Sequence, residues 1–88
     1  MKTVYKFTLG VNDVAIMMPV GAEILSAAFQ QDTLCIWAKV DTEAERRPRK
    51  FKVFGTGQEI PDEFDNKNLK FIDTSFINWF VFHVFEVL

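Results

Sequence analysis

Apolar and polar residues alternate along much of the chain, as they do in β-strands that bury one face. The segment Thr3–Leu9 places its larger apolar side chains on one side. Residues 10–13 then supply turn-forming types, and Val14–Pro19 alternates again. We therefore expect two half-buried strands at the start of the chain, joined as a hairpin.

The stretch Ala22–Asp41 predicts a second hairpin. An apolar run is followed by the turn-forming pair Gln31–Asp32 and then by Thr33–Val40, which is rich in β-branched and aromatic residues. A helix is the alternative for the first half of this stretch, but it would lack a convincing cap and a stop signal before Asp32. The hairpin is therefore the favoured interpretation.

The middle of the chain predicts a strand between two loops. The charged segment Thr42–Pro48 ends in proline, so we expect an exposed, mobile loop. A fifth strand follows from Arg49 and is broken at Gly55–Gly57. The polar segment Gln58–Asn68 is expected to be a long loop or a single helical turn that a few apolar residues hold against the body of the domain.

Two further strands are predicted near the carboxyl end, Leu69–Ile72 and Trp79–Val87, with residues 73–78 separating them. The last strand has apolar side chains on both faces, so it should lie in the centre of a sheet or in an interface. We therefore expect residues 1–88 to form one mainly β domain. Its fold class is a small antiparallel barrel or sandwich of about six to seven short strands with little or no helix.

Composition and charge exclude several classes of partner. The 88 residues carry ten Lys and Arg against twelve Asp and Glu, which gives a formal net charge of −2 and a pI near 5.3. The chain as a whole therefore has no attraction for nucleic acid or for anionic lipid, and neither partner is expected. Its most apolar stretch, Phe76–Leu88, is shorter than the roughly 20 residues of a membrane-spanning helix, and no export signal is visible.

The content of cysteine and histidine leaves little scope for enzyme chemistry. Cys35 is the single cysteine, so no intrachain disulfide is expected and a reducing, cytosolic setting fits best. A nucleophile with a base would have to combine Cys35 with His83, the single histidine, and both lie in apolar strand contexts. We therefore expect no enzyme activity, no catalytic residues, no metal site and no cofactor.

Three groups of residues are candidates for binding a partner. The first is a basic segment with interleaved phenylalanines, which suits a phosphate or an acidic protein surface, although lysines on an edge strand also discourage unwanted pairing. The second is the acidic loop Glu59–Asp65, and the third is the aromatic region Phe76–Trp79. The candidate residues are Arg46, Arg47, Arg49, Lys50, Lys52, Glu59, Asp62, Glu63, Asp65, Phe76 and Trp79.

Five short motifs, spread in order over nearly the whole chain, carry a family resemblance. They are Lys2-Thr3-Val4-Tyr5-Lys6-Phe7-x-Leu9, Met18-Pro19-x-Gly21-Ala22-Glu23-Ile24-Leu25-Ser26, Leu34-Cys35-Ile36-Trp37-Ala38-x-Val40-Asp41, Gly55-Thr56-Gly57 and Val81-Phe82-His83-Val84-Phe85-Glu86. In this combination the chain resembles a family of short proteins of unknown function that tailed bacteriophages and prophages encode. It departs from the family pattern at residues 73–80, which are more hydrophobic than the expected glycine-containing loop.

The resemblance implies an origin rather than a mechanism. Small phage proteins without catalytic signatures commonly act by covering a working surface of a host protein, which needs only a stable scaffold and one complementary patch. We therefore expect a non-enzymatic accessory protein that acts in the host bacterial cytoplasm and binds a host protein, for example a defence component, to modulate or inhibit it. Two alternatives stay open: a homo-oligomer that sequesters a nucleotide-like ligand, and a minor component of the virion or its assembly.

Overall fold

The computed structural model describes residues 1–10, 14–64 and 68–88, and in these ranges it contains strands and turns but no helix. The described residues therefore include no helix that could cross a membrane. The seven strands are β1 (Lys2–Thr8), β2 (Val14–Pro19), β3 (Glu23–Gln30), β4 (Thr33–Asp41), β5 (Arg46–Gly55), β6 (Leu69–Ile77) and β7 (Phe80–Val87).

The strands form two antiparallel sheets that pack face to face. One sheet has three strands in the order β1-β4-β3, and the other has four strands in the order β2-β5-β7-β6. The sheets do not close into a barrel, so the sandwich is the form that the expected mainly β fold takes. The core lies between the sheets because alternate residues of each strand point inward, and its largest fully buried side chains include Phe51, Leu9, Met18, Leu34, Ile36 and Val84.

The predicted hairpin between Ala22 and Asp41 is confirmed as β3 and β4. These strands pair from Gln30 and Thr33 outward around a two-residue turn. The turn residues Gln31 and Asp32 both have left-handed backbone angles, with φ of 50° and 64°. This conformation at both central positions gives the turn the twist that an antiparallel pair requires. The helical alternative for this segment is wrong.

The predicted opening hairpin is also wrong, although both of its strands exist. β1 pairs with β4 and β2 pairs with β5, so the two strands lie in different sheets. Each strand buries its apolar side chains in the common core, and it can do so from a position in either sheet. Alternation predicts a half-buried strand but does not specify its neighbour.

The segment Arg46–Pro48 is a strand and not the end of a mobile loop. β5 begins at Arg46, and Pro48 lies opposite Met17 of β2. The Val20 N–H donates to Glu45 O, so the backbone N–H and C=O groups of odd-numbered β5 residues point toward β2. Those of even-numbered residues point toward β7, and the nitrogen of Pro48 is among them. Because β7 pairs with β5 only from Lys50 onward, the missing N–H of the proline leaves no ladder bond unmade.

Residues 73–77 of the predicted break likewise belong to a strand, since β6 runs through to Ile77. Two of its polar side chains accept hydrogen bonds from the neighbouring sheet. The Ala27 backbone N–H donates to Asp73 Oδ2 at 3.2 Å, and the Phe29 N–H donates to Ser75 Oγ at 3.1 Å. These two bonds satisfy donors on the edge of β3 that a further strand would otherwise pair, and they join the two sheets at one corner.

Arg49 of β5 forms an ion pair with Glu86 of β7 and also donates a hydrogen bond to the residue that precedes β3. Arg49 Nε and Nη2 donate to the two carboxylate oxygens of Glu86 at 2.6 and 2.8 Å, and Nη1 donates to Ala22 O at 2.5 Å. The Glu86 side chain is only 8% exposed and that of Arg49 is 26% exposed. Removing the arginine would leave the buried carboxylate without a cation and would destabilise the folded protein.

We predict that Arg49→Met destabilises the protein by about 2–3 kcal/mol, because it leaves the Glu86 carboxylate buried without its cation. The partial exposure of Arg49 keeps the expected loss below that of a fully buried pair. Urea unfolding followed by circular dichroism measures the change.

The matched control is Arg47→Met, two residues earlier on the same strand, where the guanidinium pairs with Glu45 at 3.3 Å and both side chains are exposed. It should cost less than about 1 kcal/mol. Equal losses in the two variants would contradict the structural role of Arg49.

Candidate functional site

The face of the four-stranded sheet that points away from the core carries most of the candidate residues. Phe51, Val53 and Val84 point inward, so their neighbours along β5 and β7 point outward. We call this surface the outer face. On strands β5, β7 and β6 it comprises Lys50, Lys52, Phe54, Val81, His83, Phe85, Phe71, Thr74 and Phe76.

An aromatic cluster occupies one half of the outer face. The ring of Phe85 lies 5.9 Å from that of Phe54 and 5.6 Å from that of Phe71, and Phe64 lies 6.2 Å from Phe54 on its other side. All three pairs have edge-to-face geometry, which is favourable for aromatic rings. The Lys52 ammonium lies over two of these rings, 5.9 Å from Phe54 and 5.1 Å from Phe64.

The acidic loop crosses this cluster. Because β5 and β6 are both antiparallel to β7 and lie on either side of it, they run in the same direction, and their connection must pass over one face of the sheet. The contact between Phe64 and Phe54 places the crossing on the outer face. Phe54 is consequently only 4% exposed although it points away from the core. The crossing loop therefore covers part of the outer face and leaves the rest open.

The β6–β7 hairpin projects its apolar side chains into solvent. A two-residue turn joins Ile77 to Phe80, and Asn78 in that turn has a left-handed φ of 54°. Trp79 is 95% exposed, Phe76 is 70% exposed and Phe80 is 64% exposed. We call the exposed apolar residues of this hairpin the hairpin patch; they are Phe71, Phe76, Trp79, Phe80 and Val81.

The structure divides the predicted basic segment. The positions of Arg46, Lys50 and Lys52 on β5 place them on the side of the outer face, next to the aromatic cluster in the case of Lys52. Arg47 pairs with Glu45 at the surface. Arg49 points inward and its guanidinium is taken up by Glu86 and Ala22. One strand thus contributes both surface cations and an internal one.

The acidic and aromatic candidates are both at the surface. Glu59, Asp62 and Glu63 are exposed on the crossing loop, whereas Asp65 lies outside the described residues. Phe76 and Trp79 both belong to the hairpin patch. The four-stranded sheet therefore carries all three kinds of candidate residue on or beside its outer face.

The site residues predicted from the sequence do not include three members of the hairpin patch, Phe71, Phe80 and Val81. A signal was available in the adjacent pairs Phe71-Ile72 and Phe80-Val81, because neighbouring residues of a strand point to opposite faces. In a two-layer domain only one of those faces can be covered by the other sheet. One residue of each pair, Phe71 in the first and Val81 in the second, therefore had to be exposed or covered by a loop.

The structure does not bring Cys35 and His83 together. Cys35 is buried in β4, and its thiol donates to Thr33 O at 3.4 Å. His83 lies on the outer face of the other sheet between two threonine hydroxyls, with Nε2 2.8 Å from Thr56 Oγ1 and Nδ1 3.0 Å from Thr74 Oγ1. Each side chain has local partners of its own, and the two do not form a nucleophile–base pair.

A shallow groove of about 410 Å³ lies at the other end of the molecule, and its charged lining residues are Lys2, Lys39, Glu23 and Asp41. Lys39 pairs with Glu23 at 3.2 Å, so part of this charge is neutralised within the groove. The backbone N–H of Glu43 donates to Asp41 and, with the nearby amino terminus, lowers the pKa of Asp41 below its usual 3.8. The balanced charges give the groove no preference for an anion.

Within residues 1–10, 14–64 and 68–88, no three His, Cys, Asp or Glu side chains are grouped as metal ligands.

Comparison with known proteins gives a match over the full length of the chain. A family model described as "Domain of unknown function (DUF7352)" matches residues 1–88. No curated protein and no solved structure matches the chain. The expected resemblance to a family of unknown function is thereby confirmed, whereas an origin in phages or prophages stays a prediction.

We predict that Phe64→Ala loosens the crossing loop from the outer face, because the Phe64 ring packs against Phe54 and lies under the Lys52 ammonium. Cleavage by a glutamate-specific protease at Glu59 and Glu63 should become several times faster. Global stability should fall by about 1–2 kcal/mol, less than for a fully buried phenylalanine.

Ile60→Ala is the control in the same loop, since Ile60 is exposed and its loss should change neither the cleavage rate nor the stability appreciably. Unchanged cleavage of Phe64→Ala would contradict the role of Phe64 as the anchor.

Proposed function

Because the chain belongs to the DUF7352 family, which is described only as a domain of unknown function, we propose its function from its surface. It is a non-enzymatic protein that binds another protein through the hairpin patch and thereby modulates or inhibits it. The observation that carries this proposal is the exposure of Trp79, Phe76 and Phe80 on one short hairpin. In keeping with the family resemblance, we propose a phage origin and a host bacterial protein in the cytoplasm, such as a defence component, as the target.

The hairpin patch has the composition of an interface centre. Aromatic residues are enriched at protein interfaces, and tryptophan is prominent among the few residues that dominate binding energy. Exposed aromatic side chains on a monomer are unfavourable in water, so their burial by a partner is a gain. The patch contains three phenylalanines, a tryptophan and a valine, and these side chains have few rotatable bonds to immobilise on binding.

The scaffold holds the patch in a defined position. β6 and β7 pair from Leu69 and Val87 up to the turn, with one irregularity between Phe71 and Asp73. Phe80 stacks on Phe82, with ring centroids 6.4 Å apart, and Phe82 in turn contacts Phe29 of the other sheet. The exposed aromatic side chains are therefore attached to the core and do not sit on a long loop.

The charges around the patch favour a protein partner over a nucleic acid. Lys50 and Lys52 lie on the outer face, while the acidic residues Glu59, Asp62 and Glu63 project from the loop that crosses it. A surface with both signs attracts a patterned protein surface, whereas a phosphate backbone requires a continuous basic track. The charged groups at the rim would then set the orientation of the partner.

We predict that Trp79→Ser weakens binding to the protein partner at least thirtyfold, which corresponds to about 2 kcal/mol. The partner is first identified by pull-down from bacterial lysate with mass spectrometry of proteins and small molecules, and its affinity is then measured by calorimetry. Since Trp79 makes little contact with its own domain, the variant should unfold at the same urea concentration as the parent.

The matched control is Leu25→Ser, which removes a half-exposed apolar residue of the three-stranded sheet and should leave binding unchanged. A partner that binds Trp79→Ser as tightly as the parent would overturn the assignment of the patch. Recovery of a nucleotide with no protein would favour the sequestering alternative, and co-purification with virus particles would favour the virion component.

A further inference from the structure

Each of the two sheets ends in two edge strands, and unpaired backbone groups on such edges can pair with another strand. The edges are β1 and β3 in one sheet and β2 and β6 in the other. The edges of β3 and β6 face each other, where Asp73 and Ser75 take up the N–H groups of Ala27 and Phe29. Two donors on the edge of β3 are therefore satisfied within the protein, and β6 lies against this edge.

The edge of β2 is partly blocked. The bond from Val20 N to Glu45 O places even-numbered residues of β2 in hydrogen-bonded pairs with β5, so the backbone groups of Ala15, Met17 and Pro19 point to the free side. Pro19 has no N–H, and its carbonyl already accepts the Ala22 N–H at 3.1 Å. On this edge only Ala15 and Met17 therefore present both an N–H and a free carbonyl.

The edge of β1 presents more backbone groups to a further strand than the edge of β2 does. Leu9 N donates to Leu34 O at 2.7 Å, and Thr42 N donates to Met1 O at 2.9 Å, so the odd-numbered residues of β1 are bonded to β4. The backbone N–H and C=O groups of the even-numbered residues therefore point away from the sheet. They belong to Lys2, Val4, Lys6 and Thr8, and β4 is the only described strand that pairs with β1.

We propose that β1 is a homodimerisation edge, at which a second copy of this chain adds its own β1 in antiparallel orientation. The two copies are related by a two-fold axis that is perpendicular to the sheet and passes midway between the two copies of Tyr5. Two three-stranded sheets then become one continuous six-stranded sheet, and the interface is the same on both copies.

Charge selects this register. Inner and outer faces match across the two-fold axis only if one residue lies directly opposite its own copy, and the central candidates are Val4, Tyr5 and Lys6. An axis at Val4 would set Lys2 against Lys6 of the other copy, and an axis at Lys6 would set the two copies of Lys6 together. Like charges directly opposite each other are unfavourable in a sheet.

The Tyr5 register avoids both conflicts. It pairs Lys2 with Thr8 and Val4 with Lys6, and it uses the outward-pointing backbone groups of all four even-numbered residues at once. The two copies of Tyr5 lie directly opposite each other, and the half-exposed side chains of Val4 and Tyr5 lose solvent contact. The lysines of β1 thus permit one arrangement and oppose its neighbours.

The proposed edge lies on the three-stranded sheet, away from the hairpin patch on the four-stranded sheet, so the dimer is independent of the proposed function. Its contact is one strand wide and below the size of a standard stable interface. We therefore expect a weak dimer with a dissociation constant in roughly the micromolar range.

Sedimentation velocity of the full chain over a wide concentration series tests the proposal, with Val4→Pro as the disrupting variant. The N–H of Val4 points out of the domain, so proline there removes an intermolecular bond and spares the β1–β4 ladder. We expect the parent to dimerise and Val4→Pro to do so at least tenfold more weakly. Val4→Thr is the matched control, because it keeps the N–H and should dimerise like the parent.

Disulfide trapping tests the register, even if Val4→Pro proves poorly folded. In a Cys35→Ala background, Tyr5→Cys should oxidise to a covalent dimer because the two cysteines face each other across the axis. Thr3→Cys should not, since Thr3 would lie opposite Phe7. A monomer at every concentration, or equal dimerisation of Val4→Pro that folds normally, would overturn the dimer, and equal trapping of Thr3→Cys would overturn the register.

Discussion

The arrangement of the domain depends on β7, a strand with apolar side chains on both faces. Its inner side contributes Val84 to the core, and its outer side presents Phe85, which the other sheet cannot reach. The connection from β5 to β6 passes over β7 on this side, so that the crossing loop covers Phe54. Phe71, Phe76, Trp79, Phe80 and Val81 of the hairpin patch remain exposed. The sheet order and the candidate site thus have a common origin in one strand.

The strands themselves could be predicted because alternation is local, and the β3–β4 hairpin could be predicted because its turn joins adjacent segments. Pairing between distant strands could not, since β1 and β2 would bury the same apolar residues with either partner. Pro48 and Asp73 were assigned to loops by residue type. Their actual roles depend on which side of a strand is paired, and that information lies in the neighbouring strands.

The candidate site was only partly predictable for the same reason. The basic segment was visible in the sequence, but the alternation of β5 sends Arg49 to the interior, where Glu86 and Ala22 bind it. Conversely, Phe71 and Phe80 look like core residues by composition and are exposed in the structure. Whether an aromatic residue belongs to the core or to a surface is decided by what covers its side of the sheet. In this protein that cover is a single loop.

At the tip of the β6–β7 hairpin, one turn residue is constrained by its backbone conformation and the next is almost unconstrained by packing. Asn78 must adopt a left-handed backbone conformation that few residue types tolerate, so its identity is tied to the fold. Trp79 next to it is almost entirely in solvent and contributes little to the packing of its own domain. Under the proposed function, substitutions at position 79 would alter the binding surface with little effect on folding, whereas position 78 favours residues that tolerate the left-handed conformation. The hairpin would let specificity drift by single substitutions without a cost in folding.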